Sequence, residues 1–350
     1  MVMSSDSSQP TPAGSAMSQA AVSVRGLTVD FVLDDRVVHA VREVELNVPK
    51  GRILGIVGES GSGKSTLAFA MVNQVLKPGV IRQGAVHYAG FGNLLQKTDE
   101  EQRVFRWRHV SVVFQAAQNT LNPLLRIDGQ VRHLALDHGF DDSSDVVQRG
   151  RDLFTLMHLD AERVMRSYPH ELSGGMRQRV GVAFALLLSP EVMILDEPTT
   201  ALDVLSQEAV VEIVRAINRD LGVTIVFITH DLSVVAELAD HVAVMYAGRI
   251  VEQGGVNEVF AEPQHPYTRG LVRAIPPLFG DLSTVRPMPG QPPDPAALPS
   301  GCPFHVRCEH RLAVCDQEEP GNRTLADGRL VACHLFPAAG VPGVGGDHDD

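Results

Sequence analysis

"RILGIVGESGSGKST", residues Arg52 to Thr66, decides the fold. Its first half, Arg52 to Gly58, reads as a short apolar strand. Its second half, Gly58 to Thr66, fits the spacing G-x-x-x-x-G-K-[ST]. The next residues, "STLAFAMVNQVL", carry apolar side chains at helical spacing. Strand, glycine-rich turn and helix, in that order, are the context such a loop requires. Glycines at 58, 61 and 63 let the backbone turn its N–H groups toward phosphate oxygens. Lys64 supplies a cation for the outer phosphates, and Ser65 offers a hydroxyl to Mg²⁺. The helix that follows adds the positive end of its dipole. Gly58, Glu59, Ser60, Gly61, Ser62, Gly63, Lys64, Ser65 and Thr66 are therefore the expected phosphate-binding loop of a nucleotide site.

The remaining elements extend outward from this loop. Val22 to Val48 alternates apolar and polar residues, as antiparallel strands do. "VSVVFQ" (Val110–Gln115), "EVMILDEP" and "VTIVFITH" are further apolar strands, with a helix between the last two from about Ser206 to Leu221. The stretch from about Leu124 to Pro169 is mixed and helical. Apolar strands that alternate with helices predict an α/β fold around a mostly parallel sheet covered on both faces. "VMILDE" ends in two adjacent carboxylates. Asp196 can hold the Mg²⁺ shell, and Glu197 can polarise an attacking water, a contribution of typically ~10²–10⁴-fold.

Composition narrows the function classes. The chain has 350 residues, 44% of them apolar, and a formal net charge of -12. An acidic balance argues against a bare nucleic-acid binder, because counterion release rewards a basic face. No apolar run approaches the ~20 residues that span a bilayer. Residues 1–21 have no basic and apolar signal pattern and read as a disordered leader; residues 337–350 read as a disordered tail. These features predict a cytosolic location.

All four cysteines, Cys302, Cys308, Cys315 and Cys333, lie in one C-terminal stretch. In a cytosolic chain, clustered thiols point to metal or cluster ligands more than to disulfides. Four thiolates match the ligand count of an iron–sulfur cluster. No C-x-x-C knuckle is present, which weakens a zinc site, although His305, His310 and His334 lie nearby. Free or oxidised thiols are the third reading. Between this stretch and the α/β body, Pro276 to Pro299 holds eight prolines in 24 residues and predicts an extended connection. Metal ligation would supply the stability that so little apolar content cannot.

"LSGGMRQRV" (Leu172–Val180), together with the phosphate loop, resembles the signature of the ATP-binding cassette (ABC) ATPases. The family's other motifs follow in order. Gln115 matches its Q-loop residue, Asp196 and Glu197 its Walker B element, Asp203 ("TTALD") its D-loop residue and His230 ("FITHD") its switch histidine. The resemblance implies a P-loop nucleotide-binding domain over residues 22–262, with an antiparallel β subdomain and a helical subdomain at about 116–180. It also implies that Leu172, Ser173, Gly174, Gly175 and Met176 contact ATP held by a second cassette in a head-to-tail dimer. Gln115 would then sense Mg²⁺, His230 would contact the γ-phosphate and Asp203 would connect the two sites. Two departures stand out. Met176 replaces a common Gln, and the adenine-stacking aromatic is unclear, with Phe31 or His39 as the candidates.

"HPYTRGLVRAIP" (His265–Pro276), "NTLNPLLRI" after Gln115, and the cysteine pattern are similar to the oligopeptide/dipeptide importer subfamily. That similarity implies a C-terminal extension at 263–336 and a [4Fe–4S] cluster there, with Zn²⁺ as the alternative. It further implies a second ABC ATPase subunit, two transmembrane permease subunits, a peptide-binding protein outside the cell and a place on the cytoplasmic face of the membrane. The expected function is ATP hydrolysis coupled to peptide import, with no nucleic acid. An importer of nickel, glutathione or another small solute is the alternative cargo, and a soluble cassette acting on nucleic acid or ribosomes is the alternative class.

Overall fold

A computed structural model describes residues 20–114, 121–200, 203–275 and 288–336. In chain order the elements are β1 (Ala20–Val32), β2 (Val37–Pro49), β3 (Ile53–Val57), α1 (Lys64–Met71), β4 (Gly79–Tyr88), β5 (Gly92–Asn93), α2 (Asp99–Arg108) and β6 (Val110–Val113). Helices α3 (Ile127–Asp137), α4 (Ser144–Leu156), α5 (Ala161–Arg166) and α6 (Gly174–Leu186) follow. Then come β7 (Val192–Asp196), α7 (Val204–Leu221), β8 (Thr224–Ile228), α8 (Leu232–Leu238), β9 (His241–Tyr246), β10 (Arg249–Gly255), α9 (Val256–Ala261) and α10 (Pro266–Arg273). Two short strands, β11 (Arg323–Thr324) and β12 (Leu330–Val331), complete the order.

The central sheet runs β11-β12-β10-β9-β3-β8-β7-β6. Pairings among β3, β6, β7, β8 and β9 are parallel, and β10, β11 and β12 add antiparallel strands at one edge. A second, antiparallel sheet has the order β2-β1-β4-β5. Side chains of the central strands alternate between two cores. Val192 and Ile194 of β7, with Val226 and Ile228 of β8, face the antiparallel sheet and α1. Met193, Leu195, Ile225 and Phe227 face the helices on the other side. A strand covered on both faces must be apolar throughout, which is why these segments read as continuous hydrophobic runs. Among the described residues, no helix is long and apolar enough to cross a membrane.

The sequence predicted that the helix after the loop continues to Leu76. Instead α1 stops at Met71, and Asn73 turns into the left-handed region at φ 51°. Leu76 lies 69% exposed, so its apolar character belongs to a turn and not to a buried helix face.

The C-terminal region docks on the α/β body. Strand β12 pairs with β10 through Glu252↔Val331 and Gln253↔Leu330. Phe304 is buried against the rings of Tyr246 and Tyr267, at 5.4 and 5.5 Å between centroids. Glu319 pairs with both Arg42 of β2 and Arg249 of β10.

Candidate functional site

The phosphate loop leaves β3 between two neighbouring backbones. A side chain at Gly58 (φ 152°) would strike the Met245 carbonyl of β9. One at Gly63 (φ 103°) would strike the Ala40 carbonyl of β2. Glycine is therefore required at both positions by space as well as by conformation. Lys64 opens α1 and is buried. Its ammonium donates to the Gly58 and Glu59 carbonyls at 2.8 and 2.9 Å, so the cation is held inside the curve of the loop. Burial lowers its pKa, opposed by the charges of Glu197, Asp196 and Glu59.

Ser65 places its Oγ 3.0 Å from Asp196 Oδ1, across from the end of β7. Asp196 is buried, and that burial raises its pKa, with the Ser65 hydrogen bond acting the other way. Two hard oxygens on facing elements suit a Mg²⁺ ion, which is bound by one or two protein groups together with substrate phosphates. Glu197 follows at the left-handed φ of 49°. Its N–H donates to the Ile228 carbonyl at 2.9 Å. Oε2 accepts from Thr200 Oγ1 at 2.8 Å, and Oε1 lies 3.4 Å from His230 Nδ1. A carboxylate and an imidazole thus meet beside the loop, two groups of the kinds that serve as general bases.

The predicted signature residues form the exposed tip of α6. Ser173 caps that helix, its Oγ accepting from the Met176 N–H at 3.3 Å, while Leu172 is buried as an anchor. Gly174 and Gly175 leave the first two positions of the helix without side chains. Asp203 caps α7 in the same way, through Ser206 N–H at 2.9 Å. Ser206 in turn lies beside Gly175, so the tips of α6 and α7 are neighbours. Gln115 lies outside the described residues. Of the two adenine candidates, His39 is exposed and bonded to Asp30 at 2.8 Å, and Phe31 faces Gly79 of β4.

Sequence reading missed several contacts of the loop. The Glu59 N–H donates to the hydroxyl of Tyr267, and the Glu59 carboxylate is gripped by Arg307. Gln178, buried in α6, donates to the Pro198 carbonyl and ties the signature helix to the segment after Glu197. Buried polar side chains are the signal that marks such residues, and burial is not visible in a linear sequence.

The expected metal centre is not supported among the described residues. The four cysteines are free thiols, and no three His, Cys, Asp or Glu among the described residues are placed to hold an ion. Burial pushes the Cys302 thiol up to about 11 and the Cys333 thiol up to about 12, with the other cysteines' charges adding to the effect. Each of the three nearby histidines makes a contact through one ring nitrogen. His305 Nδ1 bonds to the Cys302 carbonyl, His334 Nε2 to the Glu318 carbonyl and His310 Nε2 to Arg269. Among the described residues, neither a [4Fe–4S] cluster nor Zn²⁺ is supported.

The ABC transporter family profile matches residues 41–200, and the profile of the oligopeptide/dipeptide transporter C-terminal region matches 251–315. The dipeptide transport ATP-binding protein DppD of Caldanaerobacter subterraneus subsp. tengcongensis is 41% identical over 316 residues, covering 90% of this chain and 97% of that protein. This chain belongs to the oligopeptide/dipeptide transporter family of ABC ATPases. Another relative in the family is the oligopeptide transport ATP-binding protein OppD of Escherichia coli, 39% identical over 92% of this chain and 95% of its own length. Among solved structures, the dimeric ATP-binding cassette MJ0796 bound to ADP and Pi has a TM-score of 0.59 at 26% identity, over 67% of this chain and 98% of that one. The cassette cbiO1 from Clostridium perfringens has the same TM-score at 27% identity, over 70% of this chain and 92% of that one. This ABC ATPase therefore shares the cassette fold with these structures and adds a transporter-type C-terminal region to it.

Proposed function

We propose that this chain is the ATP-hydrolysing, energy-coupling subunit of an importer for oligopeptides or dipeptides. One observation carries the reading. A phosphate loop, a carboxylate pair and a histidine converge at one end of the central sheet, and the peptide-transporter C-terminal region packs directly onto that loop. Residues 22–262 form the cassette in this reading, and 263–336 form the extension.

Lys64 and the N–H groups of Gly58 to Thr66 hold the triphosphate. Ser65 and Asp196 would hold Mg²⁺, which would supply charge neutralisation at the triphosphate. Glu197 takes the proton of the attacking water, with His230 beside it against the γ-phosphate. Gln115 joins the Mg²⁺ site to the helical insertion. Ser173, Gly174 and Gly175 present the N-terminus of α6 to ATP on a second cassette, a natural site for an anion. ATP closes the pair and hydrolysis releases it, while Asp203 links the two sites.

The partners are a second ABC ATPase subunit and two permease subunits, with the chain on the cytoplasmic face of the membrane. Peptide arrives from a binding protein outside and does not touch this chain. A groove of about 460 Å³, lined by Val113, Phe114, Leu121, Leu125, Leu134 and Phe184, supports permease docking at the helical region. Leu124, 82% exposed, lies in the same segment. No metal role is assigned to the cysteines. Purification of the tagged full chain in detergent tests the reading: permease subunits should co-purify, with ATPase activity stimulated by peptide-loaded binding protein. Recovery of ribosomes or nucleic acid in place of permeases would overturn it, and stimulation by nickel or glutathione alone would change the cargo.

A further inference from the structure

Two side chains from the C-terminal region converge on one residue of the phosphate loop. Arg307 grips the Glu59 carboxylate with both terminal nitrogens, NH1 to Oε2 at 2.8 Å and NH2 to Oε1 at 2.9 Å. Tyr267, fully buried, accepts the Glu59 N–H at 2.9 Å. These partners lie 248 and 208 residues away in the chain. A paired fork of this kind is both stronger and more directional than a single contact.

The arginine is built into its place. Its side chain is only 3% exposed. Its Nε donates to the Pro289 carbonyl at 2.8 Å, NH1 lies 3.4 Å from the Tyr246 hydroxyl, and the guanidinium lies 5.8 Å from the ring centroids of Tyr246 and Phe304. A buried ion pair contributes only when its geometry is good and its remaining protons are satisfied. Here the fork is well aligned, and Nε and the second NH1 proton also have partners. Tyr267 owes its aim to its neighbours in "HPY". The His265 Nδ1 accepts the Tyr267 N–H at 3.0 Å as the cap of α10, and Pro266 occupies the first helical position. The Glu59 carbonyl, finally, accepts from Lys64 Nζ at 2.9 Å. A continuous chain of contacts therefore runs from the C-terminal region through Glu59 to the cation of the loop.

We propose that Arg307 and Tyr267 are positioning residues for ATP binding, holding Glu59 so that the phosphate loop and Lys64 are pre-set for the triphosphate. The inference rests on the nucleotide reading above. A loop fixed in its binding shape loses less freedom on capture of ligand, so affinity falls when the clamp is removed. The chemical step, carried by Glu197 and His230, is left in place.

The experiment measures ATP binding and steady-state hydrolysis of the full-length chain with its transporter partners. Tyr267→Phe removes one hydroxyl and keeps the ring, and Glu59→Gln keeps the shape and removes the charge. Each should raise the KM and Kd for ATP about tenfold, with kcat within about twofold. Arg307→Ala should do so more strongly, and Arg307→Lys should recover part of the loss. A purely architectural role would lower the melting temperature without this split between KM and kcat. Folded Tyr267→Phe and Glu59→Gln proteins with wild-type KM and Kd overturn the clamp, even if Arg307→Ala fails to fold. Lys64→Ala separates the two claims. If it abolishes ATP binding while the clamp variants bind normally, only the clamp falls. If it binds ATP as wild type does, the nucleotide reading falls and the clamp with it.

Discussion

Glu197 has φ 49°, a left-handed backbone that a non-glycine residue adopts at a cost of about 1–2 kcal/mol. Such a residue persists where its surroundings over-determine it. Here its N–H is bound to Ile228 and its carboxylate is held between Thr200 and His230. Glu197→Gln keeps the shape and the Thr200 contact but cannot accept a proton. Its turnover should fall by about 10²–10⁴-fold with ATP binding retained, as measured by phosphate release beside equilibrium binding. Undiminished turnover would place the base elsewhere. Gly63→Ala is a different kind of test, because the new methyl would meet the Ala40 carbonyl. ATP binding should be lost, with destabilisation of about 1–3 kcal/mol read by thermal melting. Lys64, Ser65, Asp196 and Glu197 were legible in the sequence because each belongs to a motif whose spacing is local. Arg307 and Tyr267 were not, since nothing near residue 307 signals a partner at residue 59.

At the scale of elements, the helix tips decide which interactions are local and which need a second molecule. Ser173 is both the cap of α6 and the foremost residue of the proposed signature. Ser173→Asp separates the two roles. Aspartate is as good a cap as serine, so melting should change by less than about 0.5 kcal/mol. Its charge, however, would face a phosphate of the opposing cassette, and ATP-driven pairing and turnover should collapse. Light scattering with ATP checks the pairing; retention of full activity would remove the signature from the interface. The central sheet was legible because strands covered on both faces are apolar throughout, as in Val192–Asp196 and Thr224–Ile228. The end of α1 was not, because Leu76 continues the apolar pattern while lying on the surface. Strands β11 and β12 are two residues each, too short to carry a period.

For the molecule as a whole, the sequence suggested a proline-rich region that needs a metal to hold its shape. The structure holds that region by other means, namely strand β12 on β10, the Glu319 pairs and the aromatic cluster of Tyr246, Tyr267 and Phe304. His265 lies where these supports meet. It is fully buried, caps α10, hydrogen-bonds to the Ala332 backbone and donates its own backbone N–H to Glu252 Oε2 at 2.8 Å. Burial pushes its imidazole down from 6.5 to about 3. The unfolded chain therefore binds a proton below about 6.5 that the folded chain refuses until about 3, so stability falls as pH drops through that window. Glu252, whose pKa burial raises, acts with the opposite sign, and only a comparison with a variant isolates the histidine. His265→Asn preserves a capping acceptor and removes the titration. At pH 7.5 the variant should melt below wild type, by about 1–2 kcal/mol for the lost hydrogen bond. Near pH 4.5 wild type should lose about 2–3 kcal/mol that the variant does not, so the gap closes or reverses. Parallel melting curves for the two proteins across that range would show that His265 is not the group through which acid loosens the C-terminal region.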